Sequence, residues 1–125
     1  EIATGLNKTF KISRIAWVKP LGVEWKHEDL HEVISPDCFR MNGKGRIPVT
    51  LKMTMKAKNL LVEEYPLASR DLTFEEGFWW LRTTVKDLAG VGRFTIGLAD
   101  QIMIIDTPVL NDYIRGFVQK YILNY

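Results

Sequence analysis

The sequence predicts an α+β fold, and three observations carry that prediction. Residues 47 to 56 alternate apolar and polar side chains, residues 57 to 65 switch to helical spacing, and residues 72 to 85 form two extended runs around Glu75-Glu76-Gly77. Local periodicity changing from two to 3.6 and back is what an interleaved sheet and helix layer requires.

The elements follow in chain order. Ile47, Val49, Leu51, Met53 and Met55 alternate with Pro48, Thr50, Lys52, Thr54 and Lys56, which makes a half-buried strand. Ala57, Leu60, Leu61 and Tyr65 then keep helical spacing until Pro66 removes a backbone donor and ends the helix. Leu72 to Phe74 and Phe78 to Val85, rich in aromatic and β-branched residues, pair as an antiparallel hairpin with Gly77 at the turn. Asp87 caps a short helix presenting Val91, Phe94 and Leu98, and glycines 90, 92 and 97 make that helix weak and closely packed against the sheet. Gln101 to Asp106 is expected as a buried strand. Thr107 as N-cap and Pro108 at the first helical position open a last helix, whose Leu110, Ile114, Phe117 and Tyr121 form one apolar stripe for the sheet or a partner. From Ile47 onward the order is β-α-β-β-α-β plus a terminal helix, the split βαβ pattern of ferredoxin-like folds.

Residues 1–46 are less regular and are expected as a short strand and helix segment ahead of this fold. A strand signal runs from Thr9 to Leu21, a short helix from about Lys26 to Ile34 is closed by Ser35-Pro36, and a Gly-rich approach covers Asn42 to Gly45. The expected division is 1–46 and 47–125. Glu1 to Leu6 carries no cap or strand pattern and the chain opens without methionine, so a piece of a longer protein is expected.

Composition bounds the function classes. With 125 residues, 46% hydrophobic and 26% charged, the chain suits one globular domain. A lone Cys38 and no signal-peptide pattern point to a reducing cytoplasm, and no apolar run approaches the roughly 20 residues of a membrane span. Residues 1–60 hold eleven Lys/Arg against six Asp/Glu, and residues 61–125 hold six against nine. That basic lean is too mild for a nucleic-acid clamp, although any anionic partner would meet the front half.

Two motifs invite chemistry. HEDLH at residues 27–31 fits H-E-x-x-H, two histidines on one helix face with a glutamate as general base of a zinc hydrolase. Its helix is short and polar, Asp37 is too close in sequence to serve as third ligand, and Glu63 or Glu64 is not compellingly placed, so a charged surface helix is the better account. GVGRFTIG at residues 90–97 has Thr95 at the third glycine position of G-x-G-x-x-G and no Walker lysine. With no Ser/His/Asp or Cys/His grouping either, no catalytic residue, metal or cofactor is assigned.

Phe78, Trp79, Trp80 and Leu81 place large side chains on both faces of one strand, while helices cover only one side of such a sheet. If Trp79, Leu81 and Val85 meet the helices, Phe78 and Trp80 stand on the open face beside Thr50 and Lys52. An exposed aromatic pair marks a contact site. RNA bases, a small ligand or another protein are the possible covers. GFWWLRTT lacks the basic-Gly-aromatic start of an RNA-recognition strand, so a homodimer or neighbouring-domain interface is favoured.

Residues 47 to 108, with the strand leading into AKNLLVEEYPL, the strand FWWLRTTV and GVGRFTIGL ahead of a strand ending at Pro108, resemble the C-terminal extension of bacterial WYL-domain transcriptional regulators. TFKISRI at residues 9–15 is similar to the closing strand of the WYL barrel, matching at Phe10, Lys11, Ile12, Arg14 and Ile15. The resemblance implies a ferredoxin-like, non-catalytic module for effector sensing and dimer contacts, with DNA bound only through an N-terminal domain absent from this sequence. It places Arg14 and Lys11 where such barrels face an anionic ligand such as nucleic acid or a nucleotide. The Trp-Tyr-Leu signature itself is missing. A stand-alone ferredoxin-like ligand- or RNA-binding module is the alternative.

Overall fold

The alternation from residue 47 forms strand β1 (Ile47–Met53), with Val49, Leu51 and Met53 buried. It stops one residue pair earlier than the pattern suggests. The Thr54 hydroxyl accepts the Ala57 N–H at 3.3 Å, which caps helix α1 (Met55–Glu64) and takes Met55 out of the strand. Pro66 then opens a 3₁₀ turn, Pro66–Asp71. Strands β2 (Leu72–Glu75) and β3 (Phe78–Val85) make the expected hairpin. Glu76 (φ 52°) and Gly77 (φ 83°) form its turn, and two consecutive left-handed residues match the right-handed twist of the strands. Helix α2 (Leu88–Gly97) begins where the Asp87 carboxylate accepts the Ala89 N–H at 2.7 Å.

Strand β4 (Ile102–Ile104) differs from the expectation of a buried strand. It is a three-residue edge strand with Met103 exposed, because only β1 pairs with it and Asp106 turns the chain at φ 45°. Helix α3 (Pro108–Phe117) continues through a π-helical turn, Val118–Ile122. Thr107 sits at its N-cap position but spends its hydroxyl on the strand, donating to the Ile105 carbonyl at 2.7 Å and accepting the Thr50 N–H at 3.2 Å.

The sheet order is β2-β3-β1-β4 with every neighbouring pair antiparallel, so the fold is α+β and ferredoxin-like with a C-terminal helix. The register aligns Leu72, Leu81, Leu51 and Ile104 in one row on the helix-covered face. Leu51, Leu61, Leu81, Val85, Val91 and Leu110 are fully buried. Each side chain of this kind contributes about 1.5–3 kcal/mol when removed from water. The close packing of α2 is real, but its target is not the sheet. A Cβ on Gly90 would lie 2.8 Å from the Phe39 Cβ, and one on Gly92 would lie 2.5 Å from the Tyr113 ring, so the glycines admit a loop and α3.

The computed structural model describes residues 8, 10–31, 33 and 35–125 and divides the chain into units Glu1–Ile34 and Ser35–Tyr125. The boundary thus falls ahead of the 46/47 division read from the sequence. Its physical reason is Asp37, whose carboxylate accepts the N–H groups of Phe39 (2.9 Å), Met41 (3.0 Å) and Lys86 (2.7 Å) and ties the approach loop to the end of β3. Cys38 and Phe39 are consequently buried with the core.

The described residues of the first unit form two 3₁₀ turns, Ile12–Arg14 and Glu28–Leu30. The strand expected over residues 9–21 is not formed there, since a strand needs a pairing edge and the described part of this unit provides none. The helix expected from Lys26 onward contracts to the single turn Glu28–Leu30. Residues 1–7, Thr9, Glu32 and Ile34, on which parts of those expectations fall, lie outside the described residues.

Candidate functional site

Strand periodicity sends Trp79, Leu81, Thr83 and Val85 toward the helices and Phe78, Trp80, Arg82 and Thr84 to the other face of β3. Register then sets their neighbours. Thr73, Trp80, Lys52 and Met103 form a transverse row across all four strands of that open face, and Glu75 stands opposite Phe78. Phe78 is 38% exposed and Trp80 is half-buried.

Two cations account for the partial cover of Trp80. Lys52 Nζ lies 4.3 Å from the centre of the Phe78 ring and 5.7 Å from that of Trp80, while the Arg82 guanidinium lies 4.8 Å from the Trp80 centre. Arg82 is fixed in turn by an ion pair to Glu75 at 2.9 Å and by donation to the Thr73 hydroxyl at 3.2 Å. The site is therefore an aromatic pair braced by cations whose charge is partly neutralised within the sheet. The pair itself is legible from the period of two. Arg82 and Glu75 are not singled out by sequence spacing, although β3 periodicity and the hairpin register could have placed both on this face.

The other side chains singled out above lie apart from this face. Arg14 ends the turn Ile12–Arg14 and Lys11 precedes it; both are exposed. His27 and His31 flank the turn Glu28–Leu30 instead of sharing an α-helical face, and the His31 ring contacts Trp25 at 5.0 Å. At three residues per turn, positions four apart diverge by about 120°. No group of three His, Cys, Asp or Glu among the described residues is arranged to hold a metal ion. GVGRFTIG lies inside α2 and its start, so Gly90, Gly92 and Gly97 are helical and build no phosphate loop.

Cys38 is buried, and burial first of all pushes its thiol up to about 11, with the Thr83 hydroxyl at 3.9 Å opposing that shift. It is a protonated thiol at neutral pH and a poor nucleophile. No helix of the described residues is long and apolar enough to cross a membrane. Comparisons with family models, with curated proteins and with solved structures return no match to this chain.

Proposed function

We propose that this chain is the C-terminal part of a cytoplasmic WYL-type transcriptional regulator, acting without catalysis as a regulatory and oligomerisation module. In this reading the open sheet face docks on a second copy or on a neighbouring WYL barrel, DNA is contacted only by an N-terminal domain, and Arg14 with Lys11 faces an anionic or nucleotide effector. The observation that carries the docking role is the braced pair itself, with Phe78 38% exposed at the hairpin end of the open sheet face. Contiguous exposed aromatic surface of this kind favours a contact site.

Protein contact is favoured over nucleobases by the energetics of the rings. Stacking a base on an aromatic gains about 1–3 kcal/mol. Stacking on Trp80 would displace Lys52 or Arg82, forfeiting about 0.5–1 kcal/mol for each exposed cation–ring contact, and would break the Arg82–Glu75 and Arg82–Thr73 interactions as well. The adjacent β1 offers only Pro48, Thr50 and Lys52 on this face, with no second stacking ring. Protein side chains can pack on Phe78 and on the stems of Lys52 and Arg82 without undoing the brace.

Replacing Phe78 and Trp80 together by alanine is expected to lower the sedimentation coefficient at concentrations where the parent chain self-associates, with the circular dichroism spectrum retained. An unchanged sedimentation profile in a folded variant removes the homodimer contact. The regulator reading requires a helix-turn-helix segment upstream in the parent reading frame, and a frame without one rejects it.

A further inference from the structure

We propose that the groove between α1 and α2 binds a small apolar α-amino acid, its ammonium held by Glu64 and its carboxylate by Arg93. This site is separate from the docking face, which lies across the sheet, and does not depend on that reading.

The groove encloses about 300 Å³, at the lower end of small-molecule sites. Its lining comes from paired positions four residues apart: Leu60 with Glu64 on α1, and Arg93 with Gly97 and Phe94 with Leu98 across α2 and its cap. Tyr65 completes it. The Tyr65 and Phe94 rings meet edge to face at 6.2 Å, backed by Phe39 at 5.1 Å from Tyr65, so one wall is a fixed aromatic surface.

Opposite charges converge on that apolar wall. Burial is the main influence pushing the Tyr65 phenol up, the Glu64 charge and hydrogen bond add to it, and Arg93 and Arg40 oppose it, which places both signs of charge around one hydroxyl. Arg40 is already engaged, donating to the Glu64 carbonyl at 2.8 Å and lying 5.5 Å over the Tyr65 ring. Arg93 forms no ion pair among the described residues, so its guanidinium fork is available to a carboxylate. At Gly97 a Cβ would meet nothing within 4 Å and no left-handed backbone requires glycine, so this exposed position leaves the groove open. A zwitterion with an apolar side chain satisfies the acid, the base and the aromatic wall together. Glu64 and Arg93 are both exposed, so a ligand with one charge would engage only one of them and gain one charge-assisted bond fewer.

The test is an amide chemical-shift titration of the full chain with L-leucine and L-phenylalanine. N-acetyl-leucine, which lacks the ammonium, and isoamylamine, which lacks the carboxylate, are the controls. Saturable shifts at Leu60, Phe94 and Gly97 are expected for at least one amino acid, with both controls weaker by about tenfold, the loss of one charge-assisted hydrogen bond. Arg93→Gln and Glu64→Gln should each weaken binding by a similar factor, and Gly97→Leu should abolish it while the remaining spectrum is preserved. Glu64→Gln leaves the carbonyl that Arg40 uses in place. No saturable shift for either amino acid up to about 10 mM, or controls that bind as well as they do, overturns the assignment. The unmodified chain and its ligand panel decide this even if a variant fails to fold.

Discussion

Asp37 shows how one side chain can set where a fold begins. Its Oδ1 accepts from Phe39 and Met41 and its Oδ2 from Lys86, so three backbone donors at a partly dry site converge on one carboxylate. Hydrogen bonds to a charged group contribute about 1.5–3 kcal/mol each, and a buried donor left unpaired costs a comparable amount. Asp37→Ala is therefore expected to lower unfolding free energy by about 3 kcal/mol or more in a urea titration. Asp37→Asn should cost less than alanine, since its amide oxygen keeps the Phe39 and Met41 bonds while its NH₂ confronts the Lys86 N–H. Equal stability of all three proteins would show that the loop is held by Phe39 packing alone. In the sequence Asp37 precedes the apolar Cys38-Phe39 pair with no repeat or cap pattern around it. Its role rests on Lys86, 49 positions away, and so was not legible there. Phe78 and Trp80 were legible on the open face because a period of two is a local property of one strand.

At the scale of elements, the β2–β3 turn is built to close but not from its best residues. Glu76 holds φ 52° and Gly77 φ 83°. A left-handed conformation costs a residue with a Cβ roughly 1–2 kcal/mol, a penalty that asparagine partly escapes through its short polar side chain. Glu76→Asn is expected to raise stability by about 0.5–1 kcal/mol and to leave the sheet register intact, read as an increase in denaturation midpoint at constant m-value. A decrease would mean that Glu76 makes a contact in solution that outweighs its backbone strain. The hairpin, α1 and α3 could be read from the chain because Gly77 at the turn, helical spacing up to Pro66 and Pro108 at a helix start announce them locally. Strand β4 could not be sized that way. It starts where β1 ends, with Met53 pairing Ile102, and stops after Ile104, paired with Leu51, because Asp106 turns the chain away from a β1 that continues to Ile47. The direction in which α2 packs was equally hidden, because Gly92 answers to Tyr113 on a later helix.

At the scale of the whole molecule, the two units differ in what they can bury. The unit Ser35–Tyr125 holds the buried hydrophobic cluster, from Cys38 and Phe39 through Leu51, Leu61 and Leu81 to Leu110. The first unit keeps Trp17 78% exposed, and Val18, Leu21, Val23 and Trp25 are exposed as well, so its described residues supply no core of their own. A polypeptide of residues 35–125 is therefore expected to unfold cooperatively with a stability within about 0.5 kcal/mol of the full chain, as for changes remote from the core. A polypeptide of residues 47–125 removes Phe39 from beside Tyr65 and Phe94 and Asp37 from three backbone donors. Loss of a buried phenylalanine alone costs about 3–5 kcal/mol, a large part of the roughly 5–15 kcal/mol that holds a domain together. That shorter polypeptide should show a strongly lowered thermal midpoint or no cooperative transition in calorimetry. If it melts like residues 35–125, the fold starts at β1 and the approach loop merely lies against it; if residues 35–125 fail to melt cooperatively, the first unit contributes to a core that its exposed tryptophans do not reveal.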